Sequence, residues 1–172
     1  MREGRKQVIV AAYLFEDLAR RDFDALVSLV AKKSLTLEGL LLVQKHLDGD
    51  LHLVESGKRI YQGEEALAGG DCLAVGLLAP ALLPVASSGA IHQDVVARFE
   101  AYRTNEVAST MDAALPAGAG GIVAVCDPDD ANAVELALTS AIKRTAVQIA
   151  SLTAQRLIHQ MTRPSDEPTT SD

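Results

Sequence analysis

Two histidines and two aspartates surround one predicted turn. His46 and His52 flank Asp48-Gly49-Asp50, and apolar runs on both sides predict a β-hairpin. In a loop of three residues, 48–50, the two imidazoles stand opposite each other, and imidazoles with carboxylates are common metal ligands. This stretch has no third fixed ligand, so we favour a solvent-exposed hairpin tip.

Three aspartates form a second candidate for cation binding. Asp127, Asp129 and Asp130 offer the oxygen ligands that hard cations prefer. Asp127 precedes Pro128, however, and an Asp-Pro pair followed by acidic residues is typical of the start of a helix. We prefer the helix start because it explains the proline as well.

Two further stretches contain residue types that are found in catalytic or phosphate-binding loops. Residues 117–121 are rich in glycine but precede a predicted strand, whereas a phosphate-binding loop follows a strand and opens a helix. Ser87-Ser88-Gly89 lacks the strand and helix that surround a nucleophilic serine. No acid–base pair stands out either. We therefore expect a protein that is not an enzyme and binds no cofactor or metal.

Composition and charge exclude several classes of protein. Of 172 residues, 48% are hydrophobic and 3% aromatic, so we expect one domain over residues 1–162 with an aliphatic core. The net charge is −7, and residues 66–172 hold 6 Lys and Arg against 12 Asp and Glu. This excess of acid argues against nucleic-acid binding, which needs clustered basic residues.

The cysteines and the first residues favour a cytoplasmic location. Cys72 and Cys126 show no metal or redox spacing, so we expect two small buried hydrophobic side chains. The chain begins with a predicted strand and without an apolar signal-peptide core. We expect a reduced, cytoplasmic protein.

Apolar periodicity predicts helices that alternate with strands. Phe23, Leu26, Val27 and Val30 recur at helical spacing, whereas valine-rich runs bounded by loops are typical of strands. The predicted strands are residues 6–14, 37–46, 51–56, 121–126 and 145–150, and the predicted helices are residues 15–33, 91–115 (restarting at Thr104 or Asn105), 127–143 and 152–161. Residues 163–172 are polar and predict a disordered tail. This order predicts an α/β (α+β) fold, a ferredoxin-like α/β sandwich with an apolar helical insertion.

The predicted insertion covers about residues 64–91, of which 72–91 carry no charge. Pro80 is expected to separate a helix over residues 64–79 from a shorter one over residues 81–90. The stretch just reaches the roughly twenty residues that span a membrane. Because prolines, glycines and serines interrupt it, we favour a helical hairpin in the core or at a subunit interface. The leucines that we expect to line such a contact are Leu73, Leu77, Leu78, Leu82 and Leu83.

Three segments together resemble a known family. LTLEGLLLVQKHLDGDLHL (residues 35–53) is a strand, an acidic-glycine turn and a strand; the Gly/Ala/Leu/Pro insertion follows, and then ALPAGAGGIVAV (residues 114–125). In this order they resemble the bacterial general-stress or predicted membrane proteins of unknown function. The resemblance extends to about residue 151 and implies ferredoxin-like halves around the insertion, a link to stress and no catalytic residues. The insertion is shorter here than in members with two apolar helices.

The sequence thus predicts a non-enzymatic protein that associates through its insertion, as a homo-oligomer or with a protein partner. One alternative is a small-molecule or metal-binding sensor, which a ligand retained through purification would favour. The other is a peripheral or integral membrane protein, which solubility without detergent would argue against. The sequence specifies neither the ligand, nor the partner, nor the number of subunits.

Overall fold

The computed structural model describes residues 5–56, 69–83, 93–103 and 106–150. Their strands are β1 (Arg5–Tyr13), β2 (Gly39–Lys45), β3 (Leu51–Ser56), β4 (Gly120–Cys126) and β5 (Lys143–Ala150). Their helices are α1 (Glu16–Ala31), α2 (Gly69–Leu78), α3 (Gln93–Arg103), α4 (Glu106–Ala114) and α5 (Pro128–Ala137), with a 3₁₀ turn at Pro80–Leu82. The predicted terminal helix and polar tail, residues 152–172, lie outside the described residues.

The five strands form one sheet in the order β3-β2-β4-β1-β5, and each neighbouring pair is antiparallel. β4 lies between β2 and β1, and β1 lies between β4 and β5. The units β1-α1-β2 and β4-α5-β5 therefore interleave, which is the split βαβ arrangement of ferredoxin-like folds. The predicted α+β fold is confirmed, and β3 extends the sheet as an edge strand.

The central strands β1 and β4 are apolar at consecutive positions. Their register pairs Val8 with Val125 and Ile9 with Ala124. The last six residues of β1 and the whole of β4 are buried. A strand that is apolar on both faces requires cover on both sides, and helices provide it in two layers.

The first layer consists of α1 and α5. Phe23 and Leu26 of α1 pack with Val134 of α5 over Ile9 and Ile122 of the sheet. The helical spacing of Phe23 and Leu26 in the sequence correctly predicted the buried face of α1. Burying each of these side chains contributes about 2 kcal/mol, so the layer is fixed by apolar contacts.

The end of α5 differs from the prediction. The helix starts after Asp127, as expected, with Pro128 at its first turn. It ends at Ala137, not at Lys143, because Leu138 leaves helical backbone angles, with φ −91° and ψ 62°. The chain then turns, and Lys143 opens β5.

The second layer covers the opposite face of the sheet with α2, α3, α4 and the 3₁₀ turn. Phe99 of α3 is fully buried, and its ring lies against Gly76 of α2. A Cβ at Gly76 would lie 2.4 Å from the Phe99 ring, so only glycine allows this approach. This close approach packs α2 against α3 in the second layer.

Only part of the predicted insertion, residues 64–91, is described. The predicted break at Pro80 is confirmed: α2 ends at Leu78, and Pro80 opens the 3₁₀ turn. The rest of the second predicted helix, residues 84–90, lies outside the described residues.

Candidate interaction surface

The hairpin between β2 and β3 brings His46 and His52 together. Their rings stack, with centroids 4.0 Å apart and planes inclined by 21°. The strand register pairs Gln44 with His52, so the two histidines are diagonal neighbours and do not face each other directly. Both side chains are exposed. Within the described residues, no group of three or more His, Cys, Asp or Glu side chains is arranged to hold a metal ion.

The turn of this hairpin has three residues, 47–49, one position earlier than expected. The His46 amide donates to the Asp50 carbonyl at 2.8 Å, and the Gly49 amide donates to the His46 carbonyl at 2.9 Å. Gly49 has a φ of +94°, which explains the glycine of the Asp-Gly pair. The Asp48 side chain accepts a 2.9 Å bond from the Asp50 amide, so this aspartate stabilises the turn.

Exposed apolar side chains gather at the same end of the sheet. Leu14 is 63% exposed, Phe15 62%, Leu47 85% and Ile142 54%. They are four of the six large exposed apolar residues in the described part of the chain. Leu14 and Phe15 follow the end of β1, Leu47 follows β2, and Ile142 precedes β5. We call these four residues the tip surface.

The strand order places the members of the tip surface near one another. β5 neighbours β1, and the Ile142 amide donates to the Ala12 carbonyl at 2.8 Å, so Ile142 lies beside the end of β1 that leads into Leu14. β2 is separated from β1 by β4, which places the base of Leu47 roughly 10 Å from β1. Such distances are short compared with a protein contact, so one partner can cover all four residues.

Backbone hydrogen bonds hold the hairpin tip against the loop that precedes β4. The Gly118 amide donates to the Lys45 carbonyl at 2.7 Å, and the Lys45 amide donates to the Ala119 carbonyl at 2.9 Å. The side chain of Leu47 lies over Gly118, where a Cβ would come within 2.9 Å of it. Gly118 also has a φ of +88°. The Gly-rich stretch therefore supports Leu47, and it precedes a strand as expected.

The leucines predicted to line a contact lie mostly in the core of the chain. Leu73, Leu77 and Leu83 have no exposed surface and pack on the second-layer face of the sheet. Leu78 and Leu82 are partly buried against the same core. Of the five leucines, only Leu78 and Leu82 therefore have exposed surface with which the predicted contact through the insertion could form.

The second candidate for cation binding, which we interpreted as a helix start, adjoins an ion-pair cluster at the opposite end of the sheet. Asp127 Oδ1 lies 3.0 Å from Lys6 Nζ, which also pairs with Glu38. Burial opposes the charge of Lys6, but its hydrogen bonds to Glu38 and Asp127 outweigh this, so the pKa of the ammonium is raised. The Asp127 side chain makes no cap hydrogen bond to the helix. It joins β1 to the start of α5 through Lys6.

A buried carboxylate on α1 was missed by reading the sequence. Asp22 is 3% exposed and accepts hydrogen bonds from Tyr13 Oη at 2.8 Å and from the Ser140 amide at 2.9 Å. Thr139 Oγ1 lies 3.4 Å from its other oxygen. In the sequence, Asp22 lies outside the apolar spacing of α1, and nothing marks it as buried. These bonds fix the α5–β5 connection next to Ile142.

Two other groups that were singled out in the sequence are only partly described. Cys126 is buried with a free thiol, as predicted, whereas the side chain of Cys72 lies outside the described residues. Ser87-Ser88-Gly89 also lies outside them. Burial, and then the nearby Asp130 and Asp127 charges, raise the pKa of the Cys126 thiol to about 12.

Of the helices in the described residues, none is both long enough and apolar enough to cross a membrane.

The protein thus has an α+β fold in which helices cover both faces of the sheet, and the exposed apolar residues of the tip surface lie at one end of that sheet. Compared with protein-family models, with curated proteins and with solved structures, the chain matches none. The resemblance to the bacterial general-stress family therefore stays a prediction.

Proposed function

We propose that the protein works by association, binding a protein partner through the tip surface. The observation behind this proposal is the exposure of Leu14, Phe15, Leu47 and Ile142, which is 54% to 85% at one end of the sheet. Exposed apolar residues that stand singly are normal, but apolar residues grouped on one surface mark interaction sites. An apolar partner surface would remove these side chains from water.

Rigid elements hold the tip surface, which favours binding without a large loss of entropy. Phe15 is the residue before α1, and its carbonyl accepts bonds from the Leu18 and Ala19 amides at 3.2 and 3.3 Å. Leu47 is held by the turn and by its contact with Gly118. A surface that is ordered before it binds loses less conformational freedom on binding.

A reducing compartment, the cytoplasm, suits this proposal. The buried thiol of Cys126 is free, and thiols stay reduced in the cytoplasm. A link to stress follows from the family resemblance alone.

The proposal is tested with Phe15→Ser/Leu47→Ser and a control, Val30→Ser. Val30 is 36% exposed and lies at the far end of α1 from Phe15. Proteins captured by the immobilised wild-type chain are identified, and the affinity of each purified partner is measured by calorimetry. Burying each side chain is worth about 2 kcal/mol, so the double variant should bind on the order of a thousandfold more weakly.

The control variant should bind the partner as the wild type does. The proposal is overturned if the tip variant, folded by circular dichroism, binds every captured partner with unchanged affinity. Loss of binding in Leu78→Asp/Leu82→Asp, with the tip variant unaffected, would instead support a contact through the insertion.

A second candidate function is metal sensing at the hairpin tip. The stacked, exposed rings of His46 and His52 favour it, with Asp48 and Asp50 between them in the sequence. Imidazole nitrogen is a common ligand of zinc and copper. Calorimetric titration with each metal tests the idea: stoichiometric binding that is lost in His46→Ala/His52→Ala supports it, and unchanged binding in that variant refutes it.

A further inference from the structure

The two edges of the sheet differ in their protection against further strand pairing. At the β3 edge the register shifts between Leu42 and Val43, and Glu55 forms an ion pair with Arg20. At the β5 edge the pairing with β1 runs unbroken from Lys143 to Ala150. Irregular pairing and charge protect an edge, and a regular uncharged strand leaves it open to another strand.

The second half of β5 contains none of the residues that protect an edge. Residues 145–150 read TAVQIA, without charge, proline or glycine. Val147 and Ile149 pack into the second-layer core, whereas Ala146 and Gln148 on the other face are exposed. Small or neutral side chains therefore flank the outer edge, and none of them blocks an approaching backbone.

Three polar side chains of β5 form hydrogen bonds within their own chain. Lys143 Nζ donates to the Ala113 carbonyl at 2.9 Å, and Arg144 donates to the Leu138 carbonyl at 2.8 Å. Gln148 accepts a bond from Arg5 at 3.1 Å and donates to Gln7 at 3.2 Å, both on β1. These bonds draw the side chains away from the outer edge of the strand.

We propose that the outer edge of β5 pairs antiparallel with β5 of a second copy of this chain. A two-fold axis through Val147 places Ala146 opposite Gln148 and Arg144 opposite Ala150. The basic residues at the start of each strand then lie at opposite ends of the pair. Parallel pairing would place them side by side, where like charges are destabilising. Two copies of β5 therefore pair favourably only in the antiparallel direction.

This pairing joins two five-stranded sheets into one. A two-fold axis perpendicular to the sheet keeps each helical layer on its own face. The start of one β5 lies beside the end of the other, so the two tip surfaces point in opposite directions. The pair would then bridge two partners, a consequence that rests on the proposed function, whereas the strand pairing does not.

The test is light scattering with Ala146→Lys/Gln148→Lys, which places like charges opposite each other in the pair. The wild type should have twice the 18.2 kDa mass of one chain, and this variant half the wild-type mass. The control Asn132→Lys/Ala133→Lys adds the same charge to exposed positions of α5 and should keep the wild-type mass.

A wild type of one chain at all concentrations overturns the pairing, as does an edge variant that keeps the wild-type mass. If the edge variant fails to fold, the pairing is tested instead by hydrogen exchange of the wild type. Outward amides of β5 should become protected as protein concentration rises, and protection independent of concentration overturns the pairing. Phe15→Ser/Leu47→Ser should keep the doubled mass, so loss of partner binding and loss of the pair are separate results.

Discussion

The hydroxyl of Tyr13 donates a 2.8 Å hydrogen bond to Oδ2 of Asp22, and both side chains are buried. Asp22 also accepts a bond from the Ser140 amide. One carboxylate thus joins the end of β1, the middle of α1 and the α5–β5 connection. The positions of Leu14 and Ile142 on the tip surface depend on these elements.

Replacing Asp22 should destabilise the fold strongly. Asp22→Ala leaves the Tyr13 hydroxyl and the Ser140 amide without their acceptor, and hydrogen bonds to a charged group are worth about 2 kcal/mol each. We expect a loss of about 3 kcal/mol in the free energy of unfolding, measured by urea denaturation. Asp24→Ala, an exposed aspartate of the same helix, should change it by less than about 0.5 kcal/mol. Equal effects of the two substitutions would contradict this role.

The Tyr13 hydroxyl should make stability fall at high pH. Burial raises its pKa far above the ordinary 10.0, and the hydrogen bond to Asp22 raises it further. A raised pKa in the folded state means that the unfolded chain loses this proton first, so stability is complete below pH 10 and declines above it. Unfolding midpoints in urea, measured at rising pH, should therefore decline more steeply in the wild type than in Tyr13→Phe. Parallel curves would refute this.

The sequence predicted most of the helices and strands because apolar residues recur with a different period in each kind of element. The consecutive apolar residues of β1 and β4, and the spacing of Phe23 and Leu26, gave strands and helix directly. The restart at Thr104 or Asn105 matches the two helices α3 and α4 on either side of those residues. The predicted end of α5 was wrong because Ile142 and Lys143 continue an acceptable helical pattern, whereas the helix ends at Ala137 and Lys143 pairs with Ala12 of β1.

The sequence predicted the tip surface less well than it predicted the fold. Leu14, Phe15 and Leu47 adjoin apolar runs, so composition cannot separate them from the core. Their exposure depends on where β1 and β2 end, which the sheet determines. Conversely, Leu73, Leu77 and Leu83 were expected at a contact surface, but they are buried in the second-layer core.

Gly76 should tolerate no side chain while Phe99 is present. A Cβ there would lie 2.4 to 2.6 Å from three ring atoms of Phe99, so Gly76→Ala forces the ring from its site. We expect a loss of about 2 kcal/mol in the free energy of unfolding, typical of overpacking. The double variant Gly76→Ala/Phe99→Leu should lose less than the sum of the single losses, because the smaller side chain leaves room. Additive losses in urea denaturation would show that the two residues do not interact.

The thiol of Cys126 should react slowly with thiol reagents in the folded protein. Its pKa is raised from 9.0 to about 12, first by burial and then by the charges of Asp130 and Asp127. Only the thiolate reacts, so this shift alone lowers its reactivity near pH 8 on the order of several hundredfold. The measurement uses Cys72→Ser, so that Cys126 is the one remaining thiol, and compares the labelling rate in buffer with that in denaturant. Equal rates would place Cys126 in water, contrary to its full burial between the sheet and α5.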